Sequence, residues 1–322
     1  MTKLAVLTSG GDAPGMNAAI RAVVRSGVAA GIEVVGVRQG YAGLLRGEFL
    51  PLGCRDVGGV IDRGGTFLGS SRCDEMYRDE GQGAALRSLR AGGVDGLVVI
   101  GGNGSQAGAL ALFRRGFPVI GIASTIDNDL AGTDVSLGAM TALEIAVEAI
   151  GRLRVTASSH RRAFLIEVMG RCCGYLALLA GIASGAEATV IPEAPLSPEQ
   201  IAAELLAAER RGKKHAIVVV AEGAPQNADD IARYFREHHD RLGFELRITR
   251  LGHVQRGGVP CVFDRMSATQ LGATAVKHFA SHEHGVLIGL RQGAPQASPL
   301  AVALEEKKLD LGLLALAGVM SR

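Results

Sequence analysis

The sequence predicts an α/β protein built on parallel sheet, and three observations point to it. A short apolar segment, a glycine-rich turn and a helical pattern recur in that order along the chain. The apolar segments are continuous rather than alternating, as in strands buried on both faces. Glycine supplies 45 of 322 residues, roughly twice the ordinary share of about 7%. It gathers at turns rather than in a Gly-X-Y repeat or a Gly/Ser tract. Strands alternating with helices imply right-handed βαβ crossovers.

In chain order, strand Leu4–Leu7 leads through Thr8-Ser9-Gly10-Gly11-Asp12-Ala13-Pro14-Gly15 to a helix over Met16–Ala30 and a strand at Glu33–Val37. Strand Gly96–Ile100 leads through Gly101-Gly102-Asn103-Gly104-Ser105 to a helix ending near Arg115 and a strand at Pro118–Ile122. Strand Ala163–Val168 leads through Met169-Gly170-Arg171 to a helix over Tyr175–Ser184 and a strand at Ala188–Ile191. Strand His215–Ala221 precedes Glu222 and a helix over Ala228–His239. The pattern gives two α/β layers, in one sheet or two. A break is expected near Gly138, ahead of a long helix over Ala139–Arg154.

Composition removes several functional classes. Lys plus Arg number 34 and Asp plus Glu 32, a net charge of +2 that suits neither a nucleic-acid coat nor an acidic tail. Aromatic residues are 4% with no Trp, which disfavours base stacking as the main activity. The five cysteines, Cys54, Cys73, Cys172, Cys173 and Cys261, form no Cys-x-x-Cys. They fit a reducing cytosol rather than a disulfide framework or thiolate zinc site. The N-terminal apolar run is too short for a signal peptide. The quiet stretches Gly96–Phe113 and Cys172–Ala186 fall short of the ~20 apolar residues of a membrane span.

Ligands of open α/β sheets bind where strands end and helices begin. Two glycine-rich loops stand at such ends and can bring backbone N–H groups to an anion, aided by the helix N-terminus. A tight turn capped by Asp12 would use the first loop equally well. Gly102-Asn103-Gly104-Ser105-Gln106-Ala107 matches a dinucleotide pattern, but the next strand end, Ile120-Gly121-Ile122-Ala123-Ser124, lacks the carboxylate a dehydrogenase requires. Thr125-Ile126-Asp127-Asn128-Asp129 sets two carboxylates two residues apart after a strand. One can take a hydroxyl proton while the other holds a divalent cation; an Asx-turn would also use these residues. Arg72, Arg162, Arg171, Arg247 and Arg256 lie in or beside loops and offer forks for phosphate oxygens. Backbone cradles, a carboxylate pair and arginines are what phosphoryl transfer requires.

These segments resemble the bacterial ATP-dependent 6-phosphofructokinase family. The likeness lies in Leu7–Arg21, Arg63–Ser70, Thr125–Asp129, Glu167–Arg171 and Leu251–Gly258, in family order across nearly the whole chain. It implies two similar doubly wound domains with largely parallel sheets, 1–138 with about 251–304 binding nucleotide and 139–250 with about 305–322 binding fructose 6-phosphate. It also implies phosphoryl transfer from ATP with Mg2+ in glycolysis, a cytoplasmic homotetramer with sites at subunit borders, and neither nucleic acid nor membrane as partner. By resemblance Asp127 is the general base, and Asp129 its partner near the metal. Thr125 and Arg171 hold the phosphoryl group and the substrate. Gly11, Tyr41, Arg72, Cys73, Gly102, Asn103, Gly104, Ser105 and Gly108 match nucleotide positions. Met169, Gly170, Glu222, His253 and Arg256 match the sugar-phosphate pocket, with Arg162 and Arg247 lent by a neighbouring subunit.

Several positions depart from the family pattern. Asn103 replaces an Asp associated with magnesium, so a weaker hold on the metal is expected. Gly104, and Ser124 in place of the Lys of pyrophosphate users, imply ATP as donor, while Ala123-Ser124 in place of Pro-Gly adds a side chain beside the donor pocket. Arg21, Arg25, Arg154, Gly185, Glu187, Arg211, Lys213 and Lys214 match a distant effector site or adjoin it. Cys54 replaces an Arg there and Gly59 an Asp, and Arg161-Arg162 presents two cations at a switch position. Weak control by nucleoside diphosphate or phosphoenolpyruvate is therefore expected. The alternatives are a low-activity paralogue serving as a structural or regulatory subunit, and a kinase using another phosphoryl donor.

Overall fold

The computed structural model describes residues 2–160, 163–243, 246–310 and 312–321. Arg161 and Arg162 lie outside the described residues. The chain divides into two compact units. One holds the residues up to Thr141 together with Arg256–Lys307; the other holds Ala142–Gln255 and the segment from Lys308 onward.

The first unit contains β1 (Lys3–Ser9), α1 (Met16–Ala29), β2 (Glu33–Val37), α2 (Gly40–Arg46), β3 (Phe49–Leu52), α3 (Asp79–Ala91), β4 (Gly96–Gly101), α4 (Asn103–Arg114) and β5 (Val119–Ala123). Helix α5 (Ala139–His160) starts here and continues into the second unit. The second unit adds β6 (Ala163–Val168), α6 (Tyr175–Ser184), β7 (Ala188–Val190), α7 (Pro198–Arg210), β8 (Ala216–Ala221), α8 (Ala228–Glu237), α9 (His239–Leu242) and β9 (Leu246–Arg250). The chain returns to the first unit for α10 (Val262–Ala280), β10 (Val286–Arg291) and β11 (Ala294–Pro299), then closes with α11 (Gly312–Met320) in the second.

Among the described residues, the first sheet runs β11-β10-β5-β4-β1-β2-β3. Its centre is parallel, and only the edge strands β11 and β3 pair antiparallel. The order reverses between β1 and β4, the switch point at which such sheets open a crevice beyond their carboxyl ends. Strands β1 and β4 are buried almost throughout, with Leu4, Val6, Leu7, Val98, Val99 and Ile100 wholly inside. Each such side chain contributes about 1.5–3 kcal/mol by leaving water. The second sheet runs β7-β8-β6-β9 and is parallel throughout. Its core gathers Leu165, Val190, Ile201, Leu205, Val218, Val220, Ile231 and Phe235.

Several boundaries differ from the sequence reading, among them the following. The long helix runs to His160 rather than Arg154. The helix read as Ala228–His239 stops at Glu237. The chain leaves the second unit between Gln255 and Arg256 rather than near Leu251. Gln255 is tied to the second unit, its Oε1 accepting from Met169 N at 2.9 Å. No described helix is long and apolar enough to cross a membrane.

Candidate active site

Parallel pairing brings three loops of the first unit to adjacent strand ends. Ser9 of β1 is opposite Gly101 of β4, and Gly101 is opposite Ala123 of β5. The loops that follow are the two glycine-rich turns and Thr125–Asp129. Their closeness explains the glycines. A Cβ on Gly101 would lie 2.6 Å from the Ser9 carbonyl oxygen, and one on Gly102 would lie 3.3 Å from Thr125 Cβ. Gly10 (φ 83°) puts its carbonyl where Ser70 Oγ donates at 2.6 Å.

The first loop is not capped by Asp12. Helix α1 has left-handed Gly15 at its N-cap and no side-chain cap. Asp12 instead stands 4.0 Å from Arg256 Nη1, and the Arg256 guanidinium lies over Gly11, where any Cβ would overlap it. Arg256, read from sequence with the sugar-phosphate pocket, therefore sits on the first glycine-rich loop. Thr8 and Asn17 fix the Arg63–Ser70 loop alongside: Thr8 Oγ1 is 2.8 Å from Thr66 Oγ1, Asn17 donates to the carbonyls of Arg63 and Gly64, and Phe67 N donates to Asn17 Oδ1.

The second loop is the first turn of α4, with Gly102 at the N-cap. Gln106, wholly buried, donates to the carbonyls of Val99, Gly101 and Ile122 and so locks the ends of β4 and β5 together. Tyr41 is 3% exposed and supports the turn from beneath, its hydroxyl donating to the Ser105 carbonyl at 2.7 Å. Burial raises its pKa well above the ordinary value. Its ring also explains Gly108, where a Cβ would lie 2.9 Å away. Cys73 is half-buried with its thiol pKa raised to about 11, first by desolvation and then by the bond to Glu75, so it is no nucleophile near neutrality. Arg72 is exposed on the same strap.

The third loop carries the carboxylates. Asp127 is 4% exposed, and its backbone N–H donates to Thr125 Oγ1 at 3.2 Å. Asp129 is half-buried, and Asn103 Nδ2 donates to its Oδ2 at 2.9 Å. Asn103 Oδ1 is buried beside that contact with no hydrogen-bond partner among the described residues. The pair thus offers two hard oxygen donors in one place, which fits a magnesium ion. No cluster of three His, Cys, Asp or Glu side chains suited to a metal occurs among the described residues. Ala123 and Ser124 correct one expectation. Both are fully buried, with Ser124 Oγ 3.5 Å from the Leu137 carbonyl, so neither side chain is displayed beside the loops.

The second unit repeats the device at its own strand ends. Val168 of β6 is opposite Ala221 of β8, and Glu167 is opposite Arg250 of β9. Glu222 Oε1 accepts from Gly170 N at 3.2 Å and Arg171 N at 2.9 Å, holding Gly170 (φ 145°) and Arg171 (φ 51°) in strained turns. Met169 is buried, whereas Arg171, Glu222, Arg247 and His253 are exposed. The notable support missing from the sequence reading is Gln255, although it lies within the Leu251–Gly258 motif.

The profile of the family described as phosphofructokinase matches residues 3–279. The chain belongs to the phosphofructokinase family. It is 50% identical over 324 residues to an ATP-dependent 6-phosphofructokinase 1 of Thermus thermophilus, all of both chains being covered. It is likewise 50% identical over 323 residues to an ATP-dependent 6-phosphofructokinase of Thermotoga neapolitana, again over both whole chains. The solved phosphofructokinase of Saccharomyces cerevisiae matches with a TM-score of 0.87 and 38% identity. That match covers 94% of this chain but 45% of the longer yeast chain.

The residues expected from the sequence at an effector site fall in both units. Arg21 and Arg25 share a face of α1 in the first. In the second, a Cβ on Gly185 would lie 4.0 Å from Arg154 Nη2. Glu187, almost wholly buried, is fully engaged: Lys213 Nζ lies 2.8 Å from its Oε1, and Ile217 N donates to its Oε2 at 2.6 Å. Arg211 donates to the Ser321 carbonyl at 3.2 Å. A cavity of about 220 Å3 opens beside Gly185 and Glu187, walled by Leu314, Ala317 and Met320 of α11. Lys214 is exposed, as is Cys54, and Gly59 (φ 63°) faces open space.

Proposed function

We propose that the chain transfers the γ-phosphoryl group of ATP to the 1-hydroxyl of fructose 6-phosphate, giving fructose 1,6-bisphosphate and ADP. The observation that carries this reading is the register of β1, β4 and β5, which sets two anion-cradling loops beside a buried carboxylate. Asp127 accepts the hydroxyl proton as the sugar oxygen attacks phosphorus and the bond to the β-phosphate breaks. The backbone around Gly11 and Gly102–Ser105 receives phosphate oxygens. Arg72 and Arg171 neutralise charge on the migrating group, and Thr125 positions it. Met169, Gly170, Glu222, His253 and Arg256 grip the sugar phosphate, with Arg162 and Arg247, by resemblance alone, joining them from a second copy.

Asn103 Oδ1 and Asp129 would hold Mg2+, which supplies charge neutralisation on the phosphates when bound. Asn103 brings a carbonyl where a carboxylate would add a negative charge, so the metal requirement is raised. Cys54 and Gly59 in place of a cation and a carboxylate, with the full engagement of Glu187, support weak allosteric control. Val262, Phe263 and Met266 are exposed on the first turns of α10 in the first unit, with Val259 exposed just ahead of it, and the occupant proposed for this patch is a second copy in a homotetramer. The enzyme works in the cytoplasm.

The purified chain, assayed with ATP, magnesium and fructose 6-phosphate coupled to bisphosphate cleavage, is expected to turn over. Activity with pyrophosphate but not ATP would overturn the donor assignment, and no activity with either would favour a structural or regulatory subunit. Sedimentation of wild type and Met266→Glu tests the assembly: a tetramer that falls apart in the variant supports it, and a wild-type monomer overturns it. Strong sigmoidal inhibition by phosphoenolpyruvate would overturn weak control.

A further inference from the structure

Between the two carboxylates of the catalytic turn stands Asn128, with φ 51° and a side chain almost wholly buried. A left-handed residue there sets the direction in which Asp127 and Asp129 leave the backbone. Asparagine tolerates that conformation only moderately, so the turn depends on what holds the amide. Its Nδ2 donates to the Asp134 carbonyl at 3.1 Å. Its Oδ1 accepts from Ser136 N at 3.0 Å, from Ser136 Oγ at 3.2 Å and from Lys307 Nζ at 2.9 Å. Ser136 Oγ also lies 2.6 Å from the Thr125 carbonyl.

Lys307 is the charged member of this set. Its ammonium bridges Asn128 Oδ1 and the Asp134 carbonyl, each at 2.9 Å, spanning both ends of the loop that follows the catalytic turn. Charge-assisted bonds of this kind are roughly twice as strong as neutral ones. The backbone beside it is fixed as well, since Glu306 forms an antiparallel bridge with Leu130. Lys307 is also the last residue of the first unit before the chain passes to the second.

We propose that Lys307 is a positioning residue for phosphoryl transfer, acting through Asn128 to aim the Asp127 carboxylate. The proposal rests on the reading of Asp127 as general base. Its signature is a fall in kcat with little change in either KM, because the turn is misdirected while the loops that bind substrates stay in place.

The test is Lys307→Met beside Lys307→Arg, the neighbouring control Lys308→Met, and Lys307→Met combined with Asp127→Asn. Lys307→Met is expected to lower kcat at least tenfold with both KM values within about twofold. Lys307→Arg restores most of the loss, and Lys308→Met behaves as wild type. On the Asp127→Asn background, Lys307→Met has little further effect, the non-additivity expected of residues acting as a unit. Unchanged kcat in Lys307→Met, a loss shared equally by KM, or a loss undiminished on the Asp127→Asn background would overturn the proposal. Full activity of Asp127→Asn alone would instead overturn the base assignment. Should Lys307→Met fail to fold, Ser136→Ala removes a different anchor of Asn128: lowered kcat at constant KM supports the mechanism, and wild-type kcat overturns it.

Discussion

The two units place their candidate residues at strand ends by the same parallel-sheet logic but fix them by opposite means. In the first, the carboxylate assigned to chemistry is buried, and side-chain amides and an ammonium hold its turn from several directions. In the second, Arg171, Glu222 and His253 are exposed, and a single carboxylate oxygen gripping two backbone N–H groups sets the loop. The difference follows from the tasks proposed. A base must meet one proton along one line, and a displacement near 1 Å can cost about a hundredfold in rate. A binding arginine reaches a diffuse phosphate charge and tolerates more freedom.

The contrast breaks most visibly at Asp127. Asp127→Asn keeps the size of the side chain and the Asp127 N–H bond to Thr125 while removing the proton acceptor. A fall in kcat of about 10^2–10^4-fold is expected with KM values nearly unchanged, read in steady-state assays. If kcat fell less than tenfold, the buried turn would not be the seat of proton transfer, and the division of labour between the units would lose its basis.

Glu222→Ala tests the other side. It leaves Gly170 N and Arg171 N without their shared acceptor, a loss of about 1–2 kcal/mol. The loop loosens, and the KM for fructose 6-phosphate is expected to rise about tenfold while the KM for ATP and the melting temperature barely move. A KM for fructose 6-phosphate left unchanged would mean that this loop needs no such anchor for binding, and a fall in kcat beside the rise in KM would come from Arg171.

Much of this contrast can be read in the sequence, and the unreadable part has physical causes. Strands β1, β4, β5, β6 and β8 announce themselves because doubly buried strands are locally apolar. Strand β11, Ala-Pro-Gln-Ala-Ser-Pro, does not: its prolines and polar residues are permitted because it is an edge strand. Helix α10 hides as well, because Val262, Phe263 and Met266 remain exposed and blur its apolar stripe. The carboxylate pair is legible as a doublet after a strand. Its anchor is not, since Lys307 lies 179 residues beyond Asn128 and meets it only through the fold. The seat of Arg256 on Gly11 is invisible for the same reason.

Asn103→Asp sharpens the electrostatic half of the comparison with a smaller effect. In the wild type an amide N–H holds Asp129 Oδ2. A carboxylate at 103 removes that donor and sets two like charges side by side, which only a cation reconciles. The variant is expected to bind Mn2+ several-fold more tightly, by electron paramagnetic resonance titration without substrate, and to need less magnesium for half-maximal rate. Weaker or unchanged Mn2+ binding would mean that the Asn103 amide is no handicap to the metal.

The smallest effect concerns Asp264, a wholly buried carboxylate in the first unit. It accepts from Gly138 N at 3.0 Å, Thr141 N at 2.8 Å and Thr141 Oγ1 at 2.5 Å, closing the start of α5. Desolvation nevertheless outweighs these bonds and raises its pKa. The sign follows. Between the unfolded value near 3.9 and the raised folded value, the native state binds more protons than the unfolded state. This contribution to stability is therefore fully present at acid pH and fades as pH rises through the folded pKa, by no more than about 1.4 kcal/mol per pH unit for one group. Urea unfolding of wild type and Asp264→Asn from about pH 4 upward is expected to show the wild-type advantage shrinking as pH rises. An advantage that grew with pH would mean that the ionised carboxylate, favoured by the α5 N-terminus, outweighs its burial, and that charge inside this unit is stabilised rather than merely tolerated.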